Sequence, residues 1–337
     1  MYKNKEEDNR ENKFKRNTSL EFFLNEINSD LACVENNLLT KKESEYPLIF
    51  IMGAHRSGTT LMMQWLANIG GVAYPTNLMS RFYKAPIIAS KIQMLLTDEQ
   101  YSYRNEIRDF NSSIDFNSEN GKTRGALAPN EFWYFWRRFL PFGEIDYLPS
   151  KELMEKVDIA TLKSEFAGIT DVYQKPFALK GMIMNYNIDF LNELFPKAIF
   201  IHVKRDPLTN IDSAIKARER QLGSIDEWYS FKFPEYHELK KLSPYEQVAG
   251  QIYYINKAVD NGFENVAGYK KMVVPYEELC TNPEKFYDEL VEKLKLQGCT
   301  IDKNYNGKKS FNITRKHVTD KNIINAYKKF SFYNNGL

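Results

Sequence analysis

Residues suited to gripping an oxyanion stand together at positions 53–60, Gly-Ala-His-Arg-Ser-Gly-Thr-Thr, directly after the apolar run Pro47-Leu-Ile-Phe-Ile-Met52. Residues 61–68 read as a helix. A strand, a glycine-bracketed turn and a helix start gather backbone N–H groups around one point, which suits anionic oxygens. The nucleoside-triphosphate version of this turn, G-x-x-x-x-G-K-[ST], places lysine after the second glycine. Here Gly53 and Gly58 keep that spacing, but Thr59 stands in the lysine position and the cation, Arg56, lies inside the turn. This is a phosphate cradle for a different donor.

Further cations fall where other strands end. Residues 177–179 run into Lys180, and the apolar run 198–203 leads into Lys204-Arg205, with Ser213 in the helix that follows. In α/β sheets, ligands bind beyond the carboxyl ends of the strands. If these strands are neighbours, Arg56, Lys180, Arg205 and Ser213 converge on a multiply charged anion, which arginine grips bidentately. Glu131 opens an aromatic run, Phe-Trp-Tyr-Phe-Trp-Arg-Arg-Phe139. It is the candidate general base, and equally reads as a carboxylate favoured by a helix N-terminus. Trp133 and Trp136 either stack on an acceptor or fill the core. His55 either donates to the bound group or shapes the turn, and His202, on an apolar strand, reads as core.

The elements that must position these residues alternate along the chain. Strands at 47–52, 177–179, 198–203 and 271–275 are separated by helical stretches at 61–68, 81–96, 151–167, 185–195, 207–220 and 243–262, with another at 283–296. That order predicts an α/β fold: a P-loop-type, mainly parallel sheet with helices on both faces, in a single domain. Asp206 and Pro207 read as the cap and first residue of the helix after Val203. Residues 1–46 form a polar tail and an N-terminal helix, with Leu20, Phe23, Ile27, Leu31, Val34 and Leu38 at helical spacing. Thr18 and Glu21 suit a capping box at its start. The main domain then runs over 47–337, and its irregular stretch at about 97–140 reads as an insertion or lid.

Bulk composition removes several classes. Among 337 residues, 46 Lys and Arg balance 44 Asp and Glu, so no global charge favours nucleic acid. Cys33, Cys280 and Cys299 are too few and too scattered for a disulfide framework or a zinc site, and fit a reducing compartment. No apolar run approaches the ~20 residues of a membrane span, and the N-terminus is too polar for a secretory signal. The expectation is a cytoplasmic protein without stable membrane insertion. Its oligomeric state is open.

These motifs resemble the sulfotransferases that use 3′-phosphoadenosine 5′-phosphosulfate (PAPS). Gly53-x-x-Arg-Ser-Gly-Thr-Thr60 looks like the 5′-phosphosulfate loop of the bacterial and tyrosylprotein branches. Leu194-Phe-Pro196 followed by Arg205-Asp-Pro207 and Ser213 resembles the family's 3′-phosphate motif, and Val274-Pro-Tyr276-Glu-Glu-Leu279 its adenine-side segment. Lys180 falls where the tyrosylprotein branch has a lysine near the transferring group. Arg315-Lys316-His317 stands in place of the closing Arg-Lys-Gly. The resemblance implies a donor site of Gly53, His55, Arg56, Ser57, Gly58, Thr59, Thr60, Arg205, Ser213, Tyr276 and Arg315. Arg56, Lys180 and Glu131 would be catalytic. No metal is expected, because protein cations meet the donor's charge. A small-molecule, carbohydrate or lipid acceptor would supply a hydroxyl or amine. Two other readings stay open: an atypical P-loop phosphotransferase, and a non-catalytic nucleotide-binding protein.

Overall fold

The computed structural model describes residues 15, 17–101, 104, 107, 110, 115–116, 118, 122–313 and 317–331. Its centre is a four-stranded sheet of β1 (Leu48–Met52), β2 (Phe177–Lys180), β3 (Ile199–Lys204) and β4 (Lys271–Pro275), in the order β2-β1-β3-β4. All three pairings are parallel. β1 and β2 are buried along their whole length, as parallel strands covered on both faces must be. β4 lies at an edge, alternates between buried and exposed, and ends on Pro275, which an edge strand tolerates.

The two faces of β1 divide the core. Leu48, Phe50 and Met52 join Phe177, Leu179 and Phe200 on one side, under the helices Trp133–Phe139, Ile159–Tyr173 and Ile188–Leu194. Ile49 and Ile51 join Ile201, Val203 and Met272 on the other, under Thr59–Asn68 and Pro283–Leu296. Successive side chains of a strand point to opposite faces, so one short apolar run serves both layers. The expected α/β arrangement with helices on both faces is what the chain adopts.

Register fixes what the sheet presents at its carboxyl edge. Ile51 pairs with Lys180, Met52 with His202, and Lys204 with Pro275. Lys180, the turn after Met52, Arg205 and Tyr276 therefore emerge side by side. Among the described residues, no helix is long and apolar enough to cross a membrane.

The N-terminal helix Thr18–Asn36 departs from its sequence pattern. Its cap is Asn17, whose side chain accepts from Leu20 N at 3.0 Å, in place of a Thr18–Glu21 box. Leu24, Asn28 and Glu35 are the residues it buries, while Phe23 and Val34 stay exposed. Polar anchoring explains the rotation. The Glu35 carboxylate accepts from Ile87 N (2.7 Å) and Ile88 N (3.0 Å), capping the helix Pro86–Thr97. The Asn28 amide donates to the Arg81 carbonyl at 2.8 Å.

Candidate active site

The turn after β1 is forced into shape by its neighbours. A Cβ on Gly53, at φ +136°, would lie 2.7 Å from the Val203 carbonyl oxygen of β3. The Asn185 side chain clamps the same residue, accepting from Gly53 N and donating to Gly53 O, both at 3.0 Å. At the far end, Gly58 takes φ +105° and the Tyr276 ring packs where a Cβ would stand, 2.3 Å away. Only glycine satisfies either position. Between them Arg56 adopts φ +63°, an uncommon conformation for a residue with a side chain. It is held by a 3.0 Å hydrogen bond from Arg205 Nη1 to the Arg56 carbonyl.

Two arginines share this corner. Arg56 Nε donates to Ser213 Oγ at 3.3 Å, and the Arg205 guanidinium lies 4.7 Å from the centre of the Tyr276 ring. Arg205 Nε and Ser57 Oγ are buried without a hydrogen-bond partner. Among the described residues, no carboxylate pairs with either arginine. Burial holds the Arg56 guanidinium below its ordinary pKa, and repulsion from Arg205 and Arg220 acts the same way against Tyr229. Gly58 caps the helix Thr59–Asn68 with no side-chain hydrogen bond, so the first-turn N–H groups keep their donors. Positive charge, orphaned donors and a helix start together suit an anion.

At the neighbouring strand end, Lys180 is only 5% exposed. Its Nζ donates to Thr60 Oγ1 at 2.8 Å and to Glu131 Oε1 at 2.7 Å, and Trp133 Nε1 donates to Glu131 Oε2. Burial raises the Glu131 carboxyl, but Lys180, the Trp133 hydrogen bond and Lys122 outweigh it and hold the group below the usual carboxylate range. Local backbone aims this carboxylate. Phe132 takes φ +58° with its side chain fully buried, and its N–H donates to Asn130 Oδ1 at 2.8 Å. The following helix is anchored by Arg138 to Glu165 and by Trp136 Nε1 to the Lys180 carbonyl at 3.1 Å.

A cavity of about 670 Å³ joins the two arrangements. His55, Arg56, Gly58, Thr59 and Thr60 line it from the turn, while Lys180, Arg205 and Tyr276 line it from the other strand ends. Glu131 and Trp133 close one side. Among the described residues, its charged lining is Arg56, Lys180, Arg205 and Lys308 against the single carboxylate of Glu131. Volume and charge suit a nucleotide-sized anion. Gly53, Ser57 and Ser213 do not themselves line it, although Ser213 accepts from the Arg56 that does, and Arg315 lies outside the described residues. His55 is buried with both ring nitrogens unpartnered, and its pKa is pushed down to about 3 by burial and by Arg56 and Arg218, so the ring is neutral. Trp136 is core, 1% exposed, whereas Trp133 is half-buried on the cavity.

Sequence reasoning missed Asn185, the residue that fastens Gly53. Its only signal is a polar side chain shortly after β2, amid Met182, Ile183 and Met184. It also missed Tyr229, Lys308 and Phe311, which irregular segments bring to the cavity.

The sequence profile of the sulfotransferase family matches residues 47–299, from β1 through the helix Pro283–Leu296. The chain belongs to the sulfotransferase family. It is 23% identical over 288 residues to the omega-hydroxy-beta-dihydromenaquinone-9 sulfotransferases Stf3 of Mycobacterium bovis and Mycobacterium tuberculosis, spanning 81% of this chain and 70% of theirs. Among solved structures, sulfotransferase STF9 from Mycobacterium avium superposes with a TM-score of 0.46 at 16% identity, covering 88% of this chain and 70% of that one. STF1 from Mycobacterium tuberculosis gives 0.45 at 12%, over 84% and 71%. The matched region of this sulfotransferase includes the loop after β1, Lys180, Arg205 and Tyr276.

Proposed function

We propose that this sulfotransferase takes a sulfuryl group from PAPS and transfers it, by in-line displacement, to a hydroxyl or amine of a small-molecule, carbohydrate or lipid acceptor. One observation carries the reading. Arg56 and Arg205, from the ends of different strands, meet over one cavity without a carboxylate between them. A donor with phosphate at both 3′ and 5′ positions needs several cations along one cavity, and Lys180 adds another from the neighbouring strand end. The turn residues Gly53 to Thr60 would take the 5′-phosphosulfate, Arg205 and Ser213 the 3′-phosphate, and Tyr276 the adenine side. Arg315 would close over the donor.

The chain's own groups supply what the transfer needs. Glu131 accepts the acceptor's proton as its oxygen or nitrogen bonds to sulfur. The sulfur–oxygen bond to the 5′-phosphate breaks, and the electron pair leaves on that bridging oxygen. Lys180, Arg56 and the turn's N–H groups stabilise the charge growing there. The products are the sulfated acceptor and 3′-phosphoadenosine 5′-phosphate. The mycobacterial relatives are named for an omega-hydroxy acceptor, which supports a hydroxyl nucleophile.

Thermal unfolding tests the donor assignment. Near 100 times its dissociation constant, 3′-phosphoadenosine 5′-phosphate should stabilise the folded chain by about 2.7 kcal/mol, while ATP with Mg²⁺ does little. Stabilisation by ATP with Mg²⁺, and none by the bisphosphate, would replace this reading with a phosphotransferase.

A further inference from the structure

A second cavity, about 720 Å³, shares Glu131 and Trp133 with the first. It is a built space. Asn77 staples its outer wall, donating from Nδ2 to the Gly125 carbonyl (2.9 Å) and to Thr123 Oγ1 (3.2 Å), while its Oδ1 accepts from Asn130 Nδ2 (2.8 Å). Two backbone bonds, Asn77 N to Ala128 O (3.0 Å) and Leu78 N to Ala126 O (2.8 Å), complete the seam. The network ends on Asn130, next to Glu131.

The lining has two characters. Trp133 and Tyr134 present aromatic surface, with Leu78 and Pro129 beside them, and Tyr134 is braced by stacking on Tyr83 at 5.3 Å. Arg81 and Lys122 contribute positive charge. Among the described residues, Glu131 is the one carboxylate of the lining, and its two oxygens already accept from Lys180 and Trp133.

We propose that this second cavity holds the acceptor, and that the acceptor is a ring-sized alcohol or phenol bearing an anionic group, its hydroxyl at Glu131 and its anion toward Arg81 and Lys122. The assignment deepens the sulfotransferase reading and rests on Glu131 being the point where donor and acceptor meet. Flat aromatic walls favour a ring over a saturated chain. Two exposed cations each contribute modestly, so a single negative charge on the ligand should improve affinity by about tenfold.

Three phenols of matched size test it: 4-hydroxyphenylacetate (anionic), 4-hydroxyphenylacetamide (neutral) and tyramine (cationic). Each is titrated calorimetrically into the full chain saturated with 3′-phosphoadenosine 5′-phosphate. The expected order is acid, amide, amine, with about tenfold between acid and amide. The double variant Arg81→Gln, Lys122→Gln should bring acid and amide within about twofold, leaving the affinity of the amide as it was. Tyr134→Ala should weaken all three together. Equal affinities, preference for tyramine, no saturable binding of any phenol, or a charge preference that survives the double variant would each overturn the proposal. Failure of the donor reading looks different. The bisphosphate would then not bind, whereas bisphosphate binding with no charge preference sinks the acceptor assignment alone.

Discussion

The two cavities that meet at Glu131 and Trp133 are made in opposite ways. The first is built mainly on the edge of a sheet: Arg56, Lys180 and Arg205 follow strand ends whose spacing the register sets, and an irregular segment adds Lys308. The second is walled by a short 3-10 turn, Met79–Phe82, and by connecting chain at 77–78 and 122–130, held by the side chains of Asn77 and Asn130. A sheet edge leaves little freedom in what it presents, because moving one strand end would break ladder bonds along the strand. A loop wall stapled by two amides can change its lining and leave the core intact. The difference teaches a division of labour: the invariant half of a group transfer belongs on the sheet and the variable half on the loops.

The sharpest way to break that comparison is at the residue the two halves share. Glu131→Gln should cut turnover by about 10²–10⁴-fold, as loss of a general base does, while bisphosphate affinity stays within about twofold. A fully active variant would clear Glu131 of proton transfer; an equal loss of donor affinity would place it in the donor site alone. The next effect tests how rigidly the sheet-edge half is built. Asn185→Ala strands the buried N–H and carbonyl of Gly53, and should cost about 1–3 kcal/mol in denaturant unfolding and weaken bisphosphate binding. Unchanged values for both would show the turn to be self-supporting.

A third test concerns His55, whose effect is confined to acid pH. Its folded-state pKa, about 3, lies below the ordinary value of 6.5, so between those limits the unfolded chain binds the extra proton. Stability is thus fully present above pH 6.5 and is lost as pH falls, by up to about 1.4 kcal/mol per pH unit from this group. His55→Gln should flatten the acid side of the stability curve by that slope. An unaltered curve would mean that the histidine already carries its proton in the folded state.

Legibility in the sequence followed the same division. The strands, Arg56, Lys180, Arg205 and Tyr276 could be read because a buried parallel strand is a short apolar run, and ligands gather where such runs stop. Their mutual approach is then a matter of strand order, which the sequence left as a condition and the sheet order β2-β1-β3-β4 meets. Asn185 could not be read, because its partner is backbone and nothing local marks a side chain that bonds to a glycine 132 positions away. The second cavity was legible only as irregular sequence near an aromatic run. Trp133 and Trp136 are three residues apart, yet helix rotation sends one to the cavity and the other to the core. The N-terminal helix misled for a similar reason: Asn28 and Glu35 are polar letters that serve as buried anchors.

The turn after β1 has a consequence for assembly. Its contacts span long stretches of chain: 132 positions to Asn185, 149 to Arg205 and 157 to Ser213. None of these three forms from neighbouring residues, and closing such large loops is slow and costly in entropy. During synthesis the eight residues from Gly53 to Thr60 emerge early, and can take the shape of the proposed phosphate cradle only once the chain has been made past Tyr276. A peptide carrying that motif alone would have its letters and none of its grip.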